Sequence, residues 1–133
     1  MNMNRAAQFA YFLLRVVSGL MFFQHGAMKM LGWFGGMPDA PSPPPFLSLI
    51  WVGGTIELVG GLALLLGLCT RCVAFVCSGQ MAVAYWMFHA KDGAWPIVNH
   101  GELAVLYCFI FLYMAAQGGG DYSLDALFRR RRV

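Results

Sequence analysis

Charge is what this sequence has least of. Only 11% of its 133 residues are Asp, Glu, Lys or Arg, whereas about a quarter would be charged in a soluble globular domain, so an ordinary water-soluble fold is excluded. Cofactor motifs are missing too. No stretch matches a nicotinamide, flavin, haem or iron–sulfur pattern, so any electrons would have to come from a partner. No His-x-x-x-His or similar ligand spacing occurs within an apolar stretch, and neither a metal site nor a nucleic-acid partner is expected. The first apolar stretch does not read as a cleavable signal peptide, because Arg15 interrupts its core and no small-x-small site follows.

Apolar sequence is correspondingly abundant. With 59% hydrophobic residues and a mean hydropathy of +0.63, the chain reads as an all-α integral membrane protein of the lipid bilayer. Four stretches are long enough to cross: Ala6 to Leu31, Phe46 to Leu68, Thr70 to His89, and about Ile97 to Gln117 (6–31, 46–68, 70–89 and 97–117). They use nearly the whole chain, which predicts one transmembrane domain over residues 1–133, folded as a four-helix bundle. The N-terminus, the turn after Leu68 and the C-terminus then share a side carrying Arg5, Arg71 and Arg129 to Arg132, against Lys29 and Lys91 opposite. The positive-inside rule makes that side cytoplasmic. Trp33, Trp51, Trp86 and Trp95 fall near the outer interface, where tryptophan is enriched. The first outer connection, Gly32 to Pro45, is rich in proline and is expected to cap the bundle without helix.

Polar residues inside the spans are few and placed on faces. Glu57 lies mid-run, with Gly53-Gly54 and Gly60-Gly61 one turn to each side, so one face is a smooth strip that accepts a close neighbour and carries a single acid. In the first span Arg15, Ser18, Gly19, His25, Gly26 and Lys29 share a stripe. With helix centres aligned, Arg15 reaches Glu57, and a buried Arg15–Glu57 ion pair is expected, either as a pin for helix register or as a functional group. Inward stripes are also expected for Ser78, Ala82, Tyr85 and His89, and for Glu102 with Phe109 and Tyr113; Gln24 and Gln80 point away, toward a second subunit of a homo-oligomer. Asn99 and Glu102 match a capping box. Lys29 reads either as a snorkelling side chain or as part of an outer vestibule.

Cys69-Thr70-Arg71-Cys72 forms a CxxC beside an arginine and at a helix start, a setting that suits thiol chemistry. Its cytoplasmic placement and the lack of a thioredoxin-like pattern make Cys69 and Cys72 expected to be dispensable.

Several segments together resemble the DoxX family: Leu14-Arg15, Gln24 to Lys29, Gly54 to Gly61, Gly67 to Arg71, His100-Gly101-Glu102, and Gly118 to Asp125. The resemblance covers nearly the whole chain. It implies a four-helix protein of the bacterial inner membrane, linked to quinone-dependent oxidoreduction and to oxidative or thiol stress. Its recurring polar residues fall here on Arg15, His25, Lys29, Glu57, Thr70, Arg71, His100 and Glu102. The expected site is a quinone head-group pocket near the outer leaflet, with His25 and Glu102 exchanging protons and Lys29, Trp51, Tyr85, His89 and His100 as pocket residues, served by a redox partner subunit. The alternative is a non-enzymatic module, a structural subunit or a small-solute or proton pathway. Convergence of His25, Glu102 and at least one of His89 and His100 on one cavity within the bundle is the geometric requirement of that pocket; without it the structural-subunit reading takes its place.

Overall fold

A computed structural model describes residues 3–132. Among these residues the regular structure is helical: α1 (Arg5–Leu31), α2 (Leu49–Leu66), α3 (Thr70–Ala84), the single turn α4 (Pro96–Asn99), α5 (Glu102–Gln117) and α6 (Leu124–Arg130). Three helical stretches, Arg5–Leu31, Leu49–Leu66 and Thr70–Asp92, are long and apolar enough to cross a membrane. The third includes a π turn over Tyr85–His89 and a 3-10 turn over Ala90–Asp92 that extend α3. The fourth expected span is shorter than read from sequence. It breaks at His100, in the left-handed region at φ 59°, into α4 and the 16-residue α5, which is about 24 Å long at 1.5 Å per residue.

The ends of the helices follow their sequence punctuation. Asn4 accepts from Ala7 N at 2.8 Å to cap α1, and Gly32 closes it in the left-handed conformation. Ser48 caps α2, and Gly67 (φ 70°) ends it. The Asn99–Glu102 capping box does not form. Asn99 Oδ1 accepts from Gly101 N at 2.9 Å while its Nδ2 donates to Tyr85 OH and Gly93 O, so this amide ties the α4 turn to α3. The connection from α1 to α2 contains one 3-10 turn, Trp33–Gly35, where no helix was expected.

Glycine sets how α1 and α2 lie. A Cβ on Gly19 would sit 2.6 Å from Leu65 N; Gly26 abuts the Leu58 backbone, Gly61 abuts Phe23, and Gly54 faces Met30. The first three contacts set backbone against a glycine, which is how transmembrane helices approach closely, and Gly54 receives the Met30 side chain. The four pairs step together and fix one antiparallel register, in which Glu57 lies opposite Ala27. The other two glycines of the strip, Gly53 and Gly60, face Gln80 and Cys77 of α3. α3 packs in turn along α5, where Ser78 Oγ donates to Cys108 O at 2.7 Å. Phe22, Tyr107 and Phe111 join the two halves through ring contacts of 4.8 to 5.4 Å.

Candidate functional site

The acid of the glycine strip has a partner, and it is not Arg15. Glu57, 3% exposed, accepts from Lys29 Nζ through both carboxylate oxygens at 2.8 Å. This is the ion pair found among the described residues. The register explains the correction. From Ala27, which faces Glu57, Arg15 is twelve residues away, about 18 Å along α1, whereas Lys29 is half a turn away. Aligning helix centres is what misassigned the pair, because α1 at 27 residues projects well past the end of the 18-residue α2.

Arg15 instead works at the end of α2. Buried at 1% exposure, it donates through Nη1 to Leu64 O and Leu65 O at 2.7 and 2.8 Å and through Nη2 to Tyr122 O. The carbonyls of Leu64 and Leu65 lie at the C-terminus of α2, where a cation also suits the helix dipole, and that of Tyr122 lies in the loop before α6. Arg71 repeats the device on α5, donating to the carbonyls of Ala115, Ala116 and Gln117. Asp125 supplies the opposite charge. Its carboxylate accepts from Cys69 N and Thr70 N at 2.7 and 2.8 Å, capping α3 from across the chain. Tyr11 OH donates to Gly118 O in the same knot. Cys69 and Cys72 are free thiols on its exposed surface.

At the opposite end a cavity of about 590 Å³ opens between the helices. His25 and Lys29 of α1, Glu57 of α2, His89 of the π turn and His100 all line it. Three histidines and an ion pair thus meet in one space whose remaining wall is largely apolar, the usual make-up of a small-molecule site. Two further wall residues were not read from sequence. Gln80 Nε2 donates to Glu57 Oε1 at 3.2 Å, so Gln80 faces the interior of its own chain and not a second subunit. Because a carboxylate only accepts, the amide nitrogen must face it, which leaves Gln80 Oε1 without a donor among the described residues. Tyr107 is the other; His25 meets its ring edge-on at 6.3 Å, and its buried hydroxyl has no partner among the described residues. A lone amide inside an apolar helix signals that a polar partner is waiting, which is the clue that could have found Gln80.

Glu102 does not join this space. It is exposed at the first turn of α5, with Phe109 and Tyr113 on the same outward face, while Ala104, Tyr107, Phe111 and Met114 turn inward. The expectation that a charge must face inward fails there because a helix end lies close to polar surroundings. The pocket as read from sequence, with His25 and Glu102 as its proton-exchanging pair, therefore does not form; its acid is Glu57. Trp51 and Tyr85 lie beside the cavity without lining it. Trp51 packs edge-on against Phe46 at 4.9 Å, and Tyr85 stacks on His89 at 6.4 Å, whose Nδ1 lies 3.1 Å from Asn99 O.

Comparison with known proteins fits this architecture. Residues 10–90 match the DoxX family. An "Uncharacterized protein" of Haemophilus influenzae is 40% identical over 130 residues, spanning 91% of this chain and 93% of that one. The "Putative oxidoreductase CatD" of Bacillus subtilis is 30% identical over 125 residues, 92% of this chain and 90% of the relative. The "Inner membrane protein YqjF" of Escherichia coli is 26% identical over 133 residues, 97% and 99% of the two chains. No solved structure matches. With its membrane-length helices, this chain is a membrane protein and belongs to the DoxX family.

Proposed function

We propose that this protein is a membrane subunit of a quinone-linked oxidoreductase system, with the cavity as the seat of the quinone ring. The observation that carries this reading is the convergence of His25, His89, His100 and the Lys29–Glu57 pair on one cavity. The donor set suits the group: an ammonium and imidazole N–H groups can hold ring oxygens, and about 590 Å³ is within the range for small-molecule sites. A bound quinone ring would supply coupled electron and proton transfer. Lys29, held by a Glu57 carboxylate that also accepts from Gln80, would orient a ring oxygen, and the imidazoles, which can both donate and accept a proton, would pass protons to the adjoining surface. Electrons come from a partner subunit, because the sequence has no redox cofactor motif. The positive-inside rule, applied to Arg5, Arg71 and Arg129 to Arg132, supports a reading in which the knotted end faces the cytoplasmic side of the inner membrane and the cavity lies toward the outer leaflet. A role in oxidative or thiol-stress handling is consistent with a subunit that exchanges reducing equivalents with the quinone pool.

Lipid extraction of the purified protein tests this. A co-purifying quinone is expected, lost in the His25→Leu/His89→Leu variant while the protein still folds. Absence of both co-purifying quinone and binding of added quinone overturns it. That result would favour a structural subunit, a reading supported by the self-contained Lys29–Glu57–Gln80 cluster.

A further inference from the structure

Several residues of the cavity wall are also exposed on the outside of the bundle, and such residues mark its mouth. Val52 of α2 and Val76 and Val83 of α3 are 40%, 53% and 51% exposed, yet all three line the cavity; Leu49 and Ile50 at the start of α2, Phe88 of the π turn and Leu103 of α5 are exposed wall residues too, so the mouth runs from the helix ends down to Val76 and is apolar along that length. The three valines lie within helices and at different depths: Val52 is in the first turn of α2, while Val76 and Val83 are inside the membrane-length stretch Thr70–Asp92, with Val76 the seventh residue of the 15-residue α3. In a chain of membrane-length helices, a mouth at that depth made of valine opens onto acyl chains. Behind it sits the polar cluster. Val76, Gln80 and Val83 share one face of α3 at helical spacing, and Gln80 is the residue that reaches Glu57. Gly53 opposite leaves room for that amide, since a Cβ there would lie 3.2 Å from Gln80 Nε2. The two helices close against each other at Gly60, where a Cβ would lie 2.7 Å from Cys77 Sγ, so this contact bounds the slit on one side.

We infer that the cavity is loaded sideways from the bilayer through this slit between α2 and α3, and that its ligand is a membrane-dissolved amphiphile. The polar ring sits at Lys29, Glu57 and Gln80, and an apolar chain leaves between Val52, Val76 and Val83 into the lipid. The inference rests on the ring-binding reading of the same cavity and adds the route and the chain. A ligand reaching the site from water would need no apolar mouth at mid-helix depth.

The experiment uses the full chain in lipid nanodiscs and two probes, a methoxybenzoquinone without a chain and the same ring with a decyl chain. In the Val76→Trp/Val83→Trp variant, the indoles fill the slit. The decyl probe is expected to lose at least about tenfold in affinity while the chainless ring changes by less than about threefold. The control Phe75→Trp, at an exposed α3 position outside the cavity wall, should change neither. Should the double variant fail to fold, the wild type decides: a ring with a short sulfonated chain, which acyl chains exclude, should bind at least about tenfold more weakly than the decyl probe. If both rings bind but the variant affects them equally or not at all, or if the sulfonated probe binds as well as the decyl one, the lateral route is wrong and the ring site stands. If neither ring binds the wild type, the ring site and the route fall together.

Discussion

Glu57 announces itself in the sequence as an acid among glycines in an apolar run, and its burial confirms that it needs a partner. Which partner was not legible, because the choice between Arg15 and Lys29 depends on a register that only the glycine contacts settle. The ion pair carries a sharp prediction. Glu57→Leu or Lys29→Leu alone should lower the yield of folded protein, since breaking a buried pair strands a charge at about 3–5 kcal/mol in soluble proteins. The loss should be smaller here for Glu57→Leu, because the Lys29 side chain keeps 23% exposure and lies near the end of α1, where it can snorkel. The double variant Lys29→Leu/Glu57→Leu should recover the yield, and Arg15→Leu/Glu57→Leu should not. Size-exclusion profiles of solubilised protein read this directly, and rescue by the Arg15 combination would show the register to be wrong. Gln80 and Tyr107 were hidden for a different reason: each is a single polar residue, and nothing in a lone sequence says which lateral face of a helix meets its neighbours.

At the level of helices, the existence of all four apolar segments and the close neighbour of α2 were legible, because periodicity and small residues report burial directly. The break before α5 was not. Pro96 and His100-Gly101 turn one expected span into a single turn and a 16-residue helix, and this local geometry left Glu102 facing out. Glycines separate the two kinds of position. Gly26 meets the Leu58 backbone, which has no side chain to move aside, so Gly26→Ala should destabilise by about 1–3 kcal/mol, the usual range for overpacking. Gly79, on the same helix as Gln80, has open space where a Cβ would go, so Gly79→Ala should be neutral or stabilise by up to about 1 kcal/mol through helix propensity. Thermal unfolding in detergent compares them, and equal effects at both sites would remove the glycine contact as the feature that sets α1 on α2.

Across the whole molecule the two ends of the bundle divide the work. At one end, segments that carried the family resemblance, Gly67 to Arg71 and Gly118 to Asp125, fold into a knot in which Arg15, Arg71 and Asp125 each satisfy the end of a helix other than their own. At the other, His25, His89 and His100 face a cavity. Arg15 supports three carbonyl contacts from a fully buried position, so Arg15→Leu should cost several kcal/mol, with charged hydrogen bonds worth about 1.5–3 kcal/mol each. Arg15→Lys should rescue only part of this, because an ammonium cannot span carbonyls on two segments as the planar fork does. The molecules that do fold should still bind the ring probe with unchanged affinity, since Arg15 is remote from the cavity wall. Cys69→Ser/Cys72→Ser should change neither stability nor binding, as both thiols are exposed and unbonded on the knot surface. His25→Leu should do the reverse of Arg15→Leu, weakening ring binding at unchanged unfolding temperature, because His25 is partly exposed on the cavity and makes no ion pair among the described residues. Measured together by binding titration and thermal unfolding, these variants should fall on two separate axes; an Arg15 variant that folds normally but binds poorly, or a cysteine variant that does so, would mean that the knotted end takes part in the chemistry.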